Sequence, residues 1–244
     1  MTTKERNNCI NQLKNLEKND TGILANARCL SEGVDVPTLN GIAFIDPRKS
    51  QVDIIQAVGR AIRKSEDKSF GTIVIPVYLA YTENAENEIL ASRFNNVWKI
   101  ILALKSQDDS LLTTIDRLRV ELGARQIRSE VKEDLERIIF DLPKQICNDF
   151  SNSIRTLLVT YTSDNWLEKF GKLKAFKSKY GHPSPNSANS SLGTWCVTQR
   201  IEYNKDKLSK ERINQLESID FIWHQKEHKW QNKFTELKAF KEEN

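Results

Sequence analysis

The sequence predicts an α/β segment, then an all-α connector, then a small three-helix domain. Three observations carry this. Short apolar runs at 22–30, 41–46 and 71–77 surround one amphipathic stretch that ends QAVGRAIR, giving the order strand, strand, helix, strand. Between 84 and 139 the large apolar residues recur at helical spacing, through Ile89, Phe94, Val97, Ile101 and Leu104 and again over 111–122 and 131–139. Beyond 160, Trp166, Phe170, Leu173 and Phe176 recur as Trp230, Phe234, Leu237 and Phe240, each shifted by 64 residues.

The run at 22–30 reads as a buried strand and leads into SEGVDVP, which sets Gly33 and Asp35 just past its end. A carboxylate at the carboxyl end of a strand in an α/β sheet is well placed to meet a ligand hydroxyl. The next strand is expected at 41–46, and Ser50 is a candidate N-cap for the following helix. That helix spaces Gln56, Gly59, Arg60 and Arg63. Guanidinium groups three apart share a helix face, reach one phosphate cluster together, and can stabilise charge developing on a transferred phosphoryl group. Gly59 lets a backbone or ligand approach closely, and Gln56, one turn earlier, adds a neutral hydrogen-bonding group. The structural alternative is a solvated basic helix end, with Arg63 and Lys64 placed favourably against the helix dipole. The run at 71–77 is the third strand.

LSEGVDVP and QAVGRAIRK, in this order, resemble motifs V and VI of the second RecA-like lobe of superfamily-two DEAD/DEAH-type helicases, over about residues 20–80. Ala27 stands where many relatives carry Thr. The resemblance implies a partial RecA-like helicase lobe. Its ATP-binding residues would be Gly33, Asp35, Gln56, Gly59, Arg60 and Arg63, with Arg60 and Arg63 as the catalytic pair facing the triphosphate. ATP and Mg2+ are then the cofactors of the complete helicase. The phosphate-cradling GxxxxGK[ST] loop and the acidic Mg-binding motif are absent: Gly171-Lys172 is followed by Leu173, and Asp108-Asp109 lies in a polar helical region. With only twenty-odd residues before motif V, the expectation is the C-terminal piece of a longer helicase. Such a piece does not hydrolyse ATP alone and holds no cofactor tightly by itself. The first lobe would come from a longer gene product or a separate polypeptide.

Composition sets limits. The 244 residues, 39% hydrophobic and 29% charged, allow one or two modest cores. The opening MTTKERNNC has no apolar run behind it, and no stretch approaches a membrane span. Cys9, Cys29, Cys147 and Cys196 are scattered, with no CxxC pair, and read as reduced structural thiols of a cytoplasmic protein. Residues 151–244 carry 16 Lys+Arg against 11 Asp+Glu, net +5, whereas residues 1–150 carry 21 against 22, net −1. The basic tail fits contact with nucleic-acid phosphates and is also ordinary for a soluble domain.

The resulting division is 1–82 for the partial lobe, 83–159 for the helical connector, 160–228 for the three-helix domain and 229–244 for the start of a second copy. In the three-helix domain, helix one is expected over 165–180, stopped by Gly181 and Pro183. The second carries Leu192, Trp195 and Ile201, and the third begins near Ser209 with Ile213, Leu216 and Ile219. Spacings of four, three and three place each aromatic set on one helical face, whose first meaning is core packing. The blocks WLEKFGKLKAFKSKYGHPSP, LGTWCVTQR and LSKERINQLESIDFIW resemble the helicase-associated domain, which implies nucleic-acid binding. From the residues themselves, Lys172, Lys174, Lys177 and Lys179 fall off the apolar stripe, and Gln199 and Arg200 follow Trp195. These six are the candidate nucleic-acid contacts, with DNA the expected partner; for each lysine a solvated face is an equal alternative. His182 is expected to cap or pack its loop. Three functions fit: a helicase portion, a non-catalytic nucleic-acid-binding module, or a decayed fragment.

Overall fold

The computed structural model describes residues 2–17, 20–25, 39–45, 51–61, 71–77, 94–124, 138–139, 141, 148–188 and 190–243. They form two compact units, Met1–Leu112 and Thr113–Asn244, each described by itself.

The first unit opens with α1, Thr3–Lys14. A reciprocal capping box fixes its start: the Glu5 amide donates to Thr2 Oγ1 at 3.3 Å, and the Thr2 amide donates to Glu5 Oε2 at 2.6 Å. Apolar periodicity does not announce this helix, since Ile10 is its one buried residue; the Thr-x-x-Glu spacing does. Strands β1, Gly41–Ala43, and β2, Thr72–Val74, pair in parallel with Ile42 opposite Ile73. The Thr72 amide donates to the Asn40 carbonyl and the Phe44 amide to the Val74 carbonyl, both at 2.9 Å, lengthening the ladder at each end. Parallel neighbours need a crossover, and α2, Gln51–Ala61, lies in it. Ile54 and Val58, four apart, are buried with Ile100 and Ala103 of α3, Asn95–Lys105, and Phe44, Ile73 and Ile75 pack on this cluster.

The strand expected at 22–30 is not found at 22–25. The backbone there is irregular and Ile23 is 93% exposed. A strand is stable only when its amides pair, and among the described residues the one sheet is β1–β2. The remainder of that run, Ser50, and the connector helix expected before residue 94 lie outside the described residues. So does 131–137; residues 138–139 are not helical, and Ile139 is exposed.

The second unit begins within α4, Asp109–Ala124, and continues through α5, Asn148–Thr162. Next come α6, Asn165–Tyr180, α7, Ser191–Asn204, and α8, Lys210–Glu217. The last three are set locally. Asp164 accepts from the Trp166 amide at 2.9 Å, Ser190 from the Gly193 amide at 2.9 Å, and Ser209 from the Arg212 amide at 3.4 Å. Gly181, at φ 77°, closes α6 in the left-handed conformation. Trp166, Phe170 and Leu173 of α6 share a core with Cys196 of α7, Leu216 of α8, and Ile219 and Phe221 beyond it.

On another side of α6, Glu168 and Gly171 face α4. A Cβ at Gly171 would overlap the Val120 carbonyl, and one at Gly123 would overlap the Glu168 carbonyl, so the two helices cross backbone to backbone. Arg119 of α4, itself buried, bridges to Glu168 of α6 at 2.7 Å. Burial alone would raise the Glu168 carboxyl. The hydrogen bond from Lys172 and the charges of Arg119, Lys172 and Lys169 outweigh it and hold the group below its ordinary value.

The chain ends in α9, Gln225–Glu243, which carries the second copy of the aromatic stripe. Core packing expected for that stripe is not realised: Trp230 is 64% exposed, and Phe234, Leu237 and Phe240 are exposed as well. Every residue from 226 to 242 is exposed. The first stripe is buried at Trp166, Phe170 and Leu173, with Phe176 partly buried, because α7 and α8 supply the rest of its core.

Candidate functional site

The nucleotide-side candidates divide by where they fall. Helix α2 turns Ile54 and Val58 inward and leaves Gln56 exposed. A Cβ built at Gly59 would meet nothing within 4 Å among the described residues, so this turn of the helix is open to an approaching group. The Arg60 side chain and Gly33, Asp35 and Arg63 lie outside the described residues.

The six nucleic-acid candidates do not form one patch. Lys172 and Lys179, seven apart, share one side of α6, while Lys174 and Lys177 lie on another. Lys172 donates to Glu168 at 2.7 Å, and Lys177 donates to Asp220 at 2.6 Å. Lys174 is exposed, and exposed Lys179 lies 5.1 Å from the Tyr180 ring centroid.

Gln199 is corrected by the structure. It is 3% exposed, and its Oε1 accepts from Trp166 Nε1 at 2.7 Å, so its amide belongs to the core. The reason is a phase error: α7 buries Gly193, Cys196 and Gln199, whereas Trp195 is only partly buried and Ile201 is exposed. Gln199→Ala is expected to cost about 1–3 kcal/mol by stranding the buried indole N–H. A thermal melt checks this.

Arg200 is likewise corrected from exposed contact to half-buried brace. Its Nε donates to the Ile222 carbonyl at 2.8 Å, and its guanidinium lies 4.7 Å from the Phe221 ring centroid. Desolvation pulls its pKa below the usual arginine value, with the nearby Cys196 acting in the opposite sense. Burial in turn pushes the Cys196 thiol up to about 11, so it is a packing residue and an inert thiol at neutral pH.

Sequence reasoning missed two features of this surface. Lys205, Lys207 and Lys210 are exposed around the α7–α8 turn, where three lysines within six residues were the available signal. Arg212 pairs with Asp164 and covers Trp166, at 5.2 Å from the ring centroid; no local pattern links positions 48 apart. His182 behaves as expected: its Nδ1 accepts from the Ser184 amide at 3.3 Å, and its ring packs edge-on to Phe176. Among the described residues no cluster of His, Cys, Asp and Glu could hold a metal ion. No helix among them is long and apolar enough to cross a membrane.

Residues 1–65 match the helicase conserved C-terminal domain, and residues 163–224 match the helicase associated domain. The chain is also similar to the probable helicase A859L of African swine fever virus. It is 41% identical over 86 residues to the protein of isolate Tick/South Africa/Pretoriuskop Pr4/1996, and 40% identical over 86 residues to that of isolate Pig/Kenya/KEN-50/1950. These matches cover 35% of this chain and span only 9% of the length of those relatives. Among solved structures, the ATP-dependent Type ISP restriction-modification enzyme LlaBIII bound to DNA is similar over 83% of this chain and 14% of its own, at 24% identity and a TM-score of 0.46. The chain is therefore helicase-related, with a helicase conserved C-terminal domain at its N-terminus followed by a helicase-associated domain.

Proposed function

We propose that this chain is the C-terminal portion of an ATP-dependent DNA helicase, contributing motif V and VI contacts to ATP and nucleic acid together with a DNA-binding accessory domain. The observation that carries this reading is the order of the two family matches within one chain. The exposed Gln56 and the open Gly59 on the outer side of α2 support it, because motif VI must offer its polar groups to a cleft formed with another lobe.

In this reading ATP and Mg2+ bind only in the complete helicase, where the nucleotide supplies the free energy of each cycle. Gly33 and Asp35 hold the ribose and the nucleic-acid backbone. Gln56 orients by a neutral hydrogen bond, and Arg60 and Arg63 hold phosphate charge that grows as the bond breaks. Gly59 keeps the helix surface low enough for the other lobe to close. In the accessory domain, Lys172, Lys174 and Lys179 are the candidate phosphate contacts of α6 that keep their exposure, Lys172 while paired with Glu168, joined by Lys205, Lys207 and Lys210.

The experiment is complementation. The purified chain should show no ATP hydrolysis, and mixing it with a polypeptide that carries a helicase first lobe should produce DNA-stimulated turnover. DNA-stimulated turnover by the chain alone would contradict the division of labour. Within that mixture, Gly59→Ala separates structure from function. It should stabilise α2 by up to about 1 kcal/mol, since alanine is the better helix former and the Cβ meets open space. Turnover should nevertheless fall several-fold, and a melt run beside a steady-state assay reads both.

A second reading, a non-catalytic nucleic-acid-binding module, draws on the core that α6, α7, α8 and the segment after α8 share. It is distinguished by DNA binding without any gain of turnover in the mixture.

A further inference from the structure

The exposed stripe of α9 copies a buried one. Residues 165–180 and 229–244 are identical at eight of sixteen positions: Trp166, Lys169, Phe170 and 173–177 reappear 64 residues later. The positions that differ are as informative. Glu168 and Gly171, which face α4 in the first copy, become Asn232 and Thr235 in the second. Gly171 must be glycine because the Val120 carbonyl occupies the place of its Cβ; a threonine there could not accept a helix crossing of that kind. By contrast Trp166, Phe170 and Leu173, which share the core with Cys196, Leu216 and Ile219, are kept, and of the buried α6 residues in that core only Leu167 changes, to Gln231.

A residue i and its neighbours at i+4 and i+7 lie on one helical face, whereas i+1 and i+5 lie well round the cylinder. In α9, therefore, the core face of α6 is retained at Trp230, Phe234 and Leu237, and the face toward α4 is replaced by Asn232 and Thr235. Trp230 and Phe234 are already stacked as Trp166 and Phe170 are, with ring centroids 5.1 Å apart against 5.4 Å and small interplanar angles in both pairs. Lys238 lies over the Phe234 ring at 4.7 Å. The face is thus built for the same cover but is open to solvent.

We infer that the exposed face of α9 is a docking surface for a helix pair of the α7–α8 kind, and not for a helix that crosses as α4 crosses α6. The occupant is defined by what covers the first stripe. One helix carries a small apolar residue with a glutamine three positions on, as Cys196 and Gln199. A second carries Leu216, and the segment just after it carries Ile219 and Phe221. The glutamine would accept from Trp230 Nε1 as Gln199 does from Trp166. This surface recognises protein, and it stands whether or not the accessory domain binds nucleic acid.

The test presents that occupant to the whole chain in two ways. In one, a copy of residues 181–224 is fused after Asn244, which keeps the 64-residue register; in the other, the same copy is added as a separate peptide to the natural chain. Hydrogen exchange over 229–243 and acrylamide quenching resolved at Trp230 are read in both. Exchange should slow by about tenfold or more, Trp230 should become shielded, and Leu216→Asp with Ile219→Asp in the added copy should abolish both effects. Unchanged exchange and quenching in both arrangements would overturn the inference. So would protection in the natural chain alone that grows with its concentration, which assigns the face to a second copy, or protection by single-stranded DNA, which assigns it to base stacking.

Discussion

Gly171→Ala is expected to lower the melting midpoint of the second unit by about 6–12 °C, the shift for about 3 kcal/mol in a chain of this size. The added methyl would coincide with the Val120 carbonyl, and the reciprocal site at Gly123 against Glu168 leaves no slack on the other helix. Overpacked cores lose about 1–3 kcal/mol where side chains can move aside, and backbone against backbone lies at the upper end. Separating the helices would also loosen the bridge from buried Arg119 to Glu168. Calorimetry with circular dichroism checks the expectation, and Lys174→Ala serves as an exposed control on the same helix. A Gly171→Ala protein that melts with the parent would mean that α4 and α6 do not cross this closely.

Arg60→Ala should lower turnover in the complemented helicase by about 10³-fold, the effect of removing an arginine that meets charge on a transferring phosphoryl group. Arg63→Ala should have a similar effect, and the double variant little more, because two groups acting on one transition state are not additive. The melting midpoint should hardly move, since α2 is held by Ile54 and Val58 against α3. Steady-state rates beside a melt separate the two. If turnover were kept in Arg60→Ala, QAVGRAIR would be a solvated basic helix end and no more.

What was legible in the sequence was mostly local. The bounds of α6 follow from Asp164 before it and Gly181 after it, because cap and stop act within one turn. The parallel pair flanking α2 follows from two short apolar runs either side of an amphipathic one, although the pairing of Ile42 with Ile73 needed coordinates. Contacts between distant residues were not legible. Trp195 looked like the inward residue of α7, yet the helix phase buries Cys196 and Gln199, and one residue on a helix is a turn of 100°. Gly171 in a lysine-rich helix gave no hint of Gly123, since a pattern shows a face but not its neighbour. The second aromatic stripe was legible as a repeat and misread as core, because burial depends on partners that a periodicity does not contain. On the nucleotide side, QAVGRAIR was found by pattern, and Gln56 and Gly59 are the candidate contacts in it whose surroundings the structure describes.

The proposal that a motor segment and a nucleic-acid-binding domain are joined in this chain is tested most directly by fluorescence-polarisation titration of labelled single- and double-stranded DNA with the whole chain across a salt series. Binding should weaken steeply as salt rises, with a log–log slope of about −0.9 per phosphate neutralised on duplex DNA. Lys174→Ala with Lys179→Ala should make that slope shallower by about 2, uniformly across DNA sequences. No binding by the folded chain at low salt, or binding indifferent to salt and to both lysines, would contradict the assignment of the accessory domain to DNA.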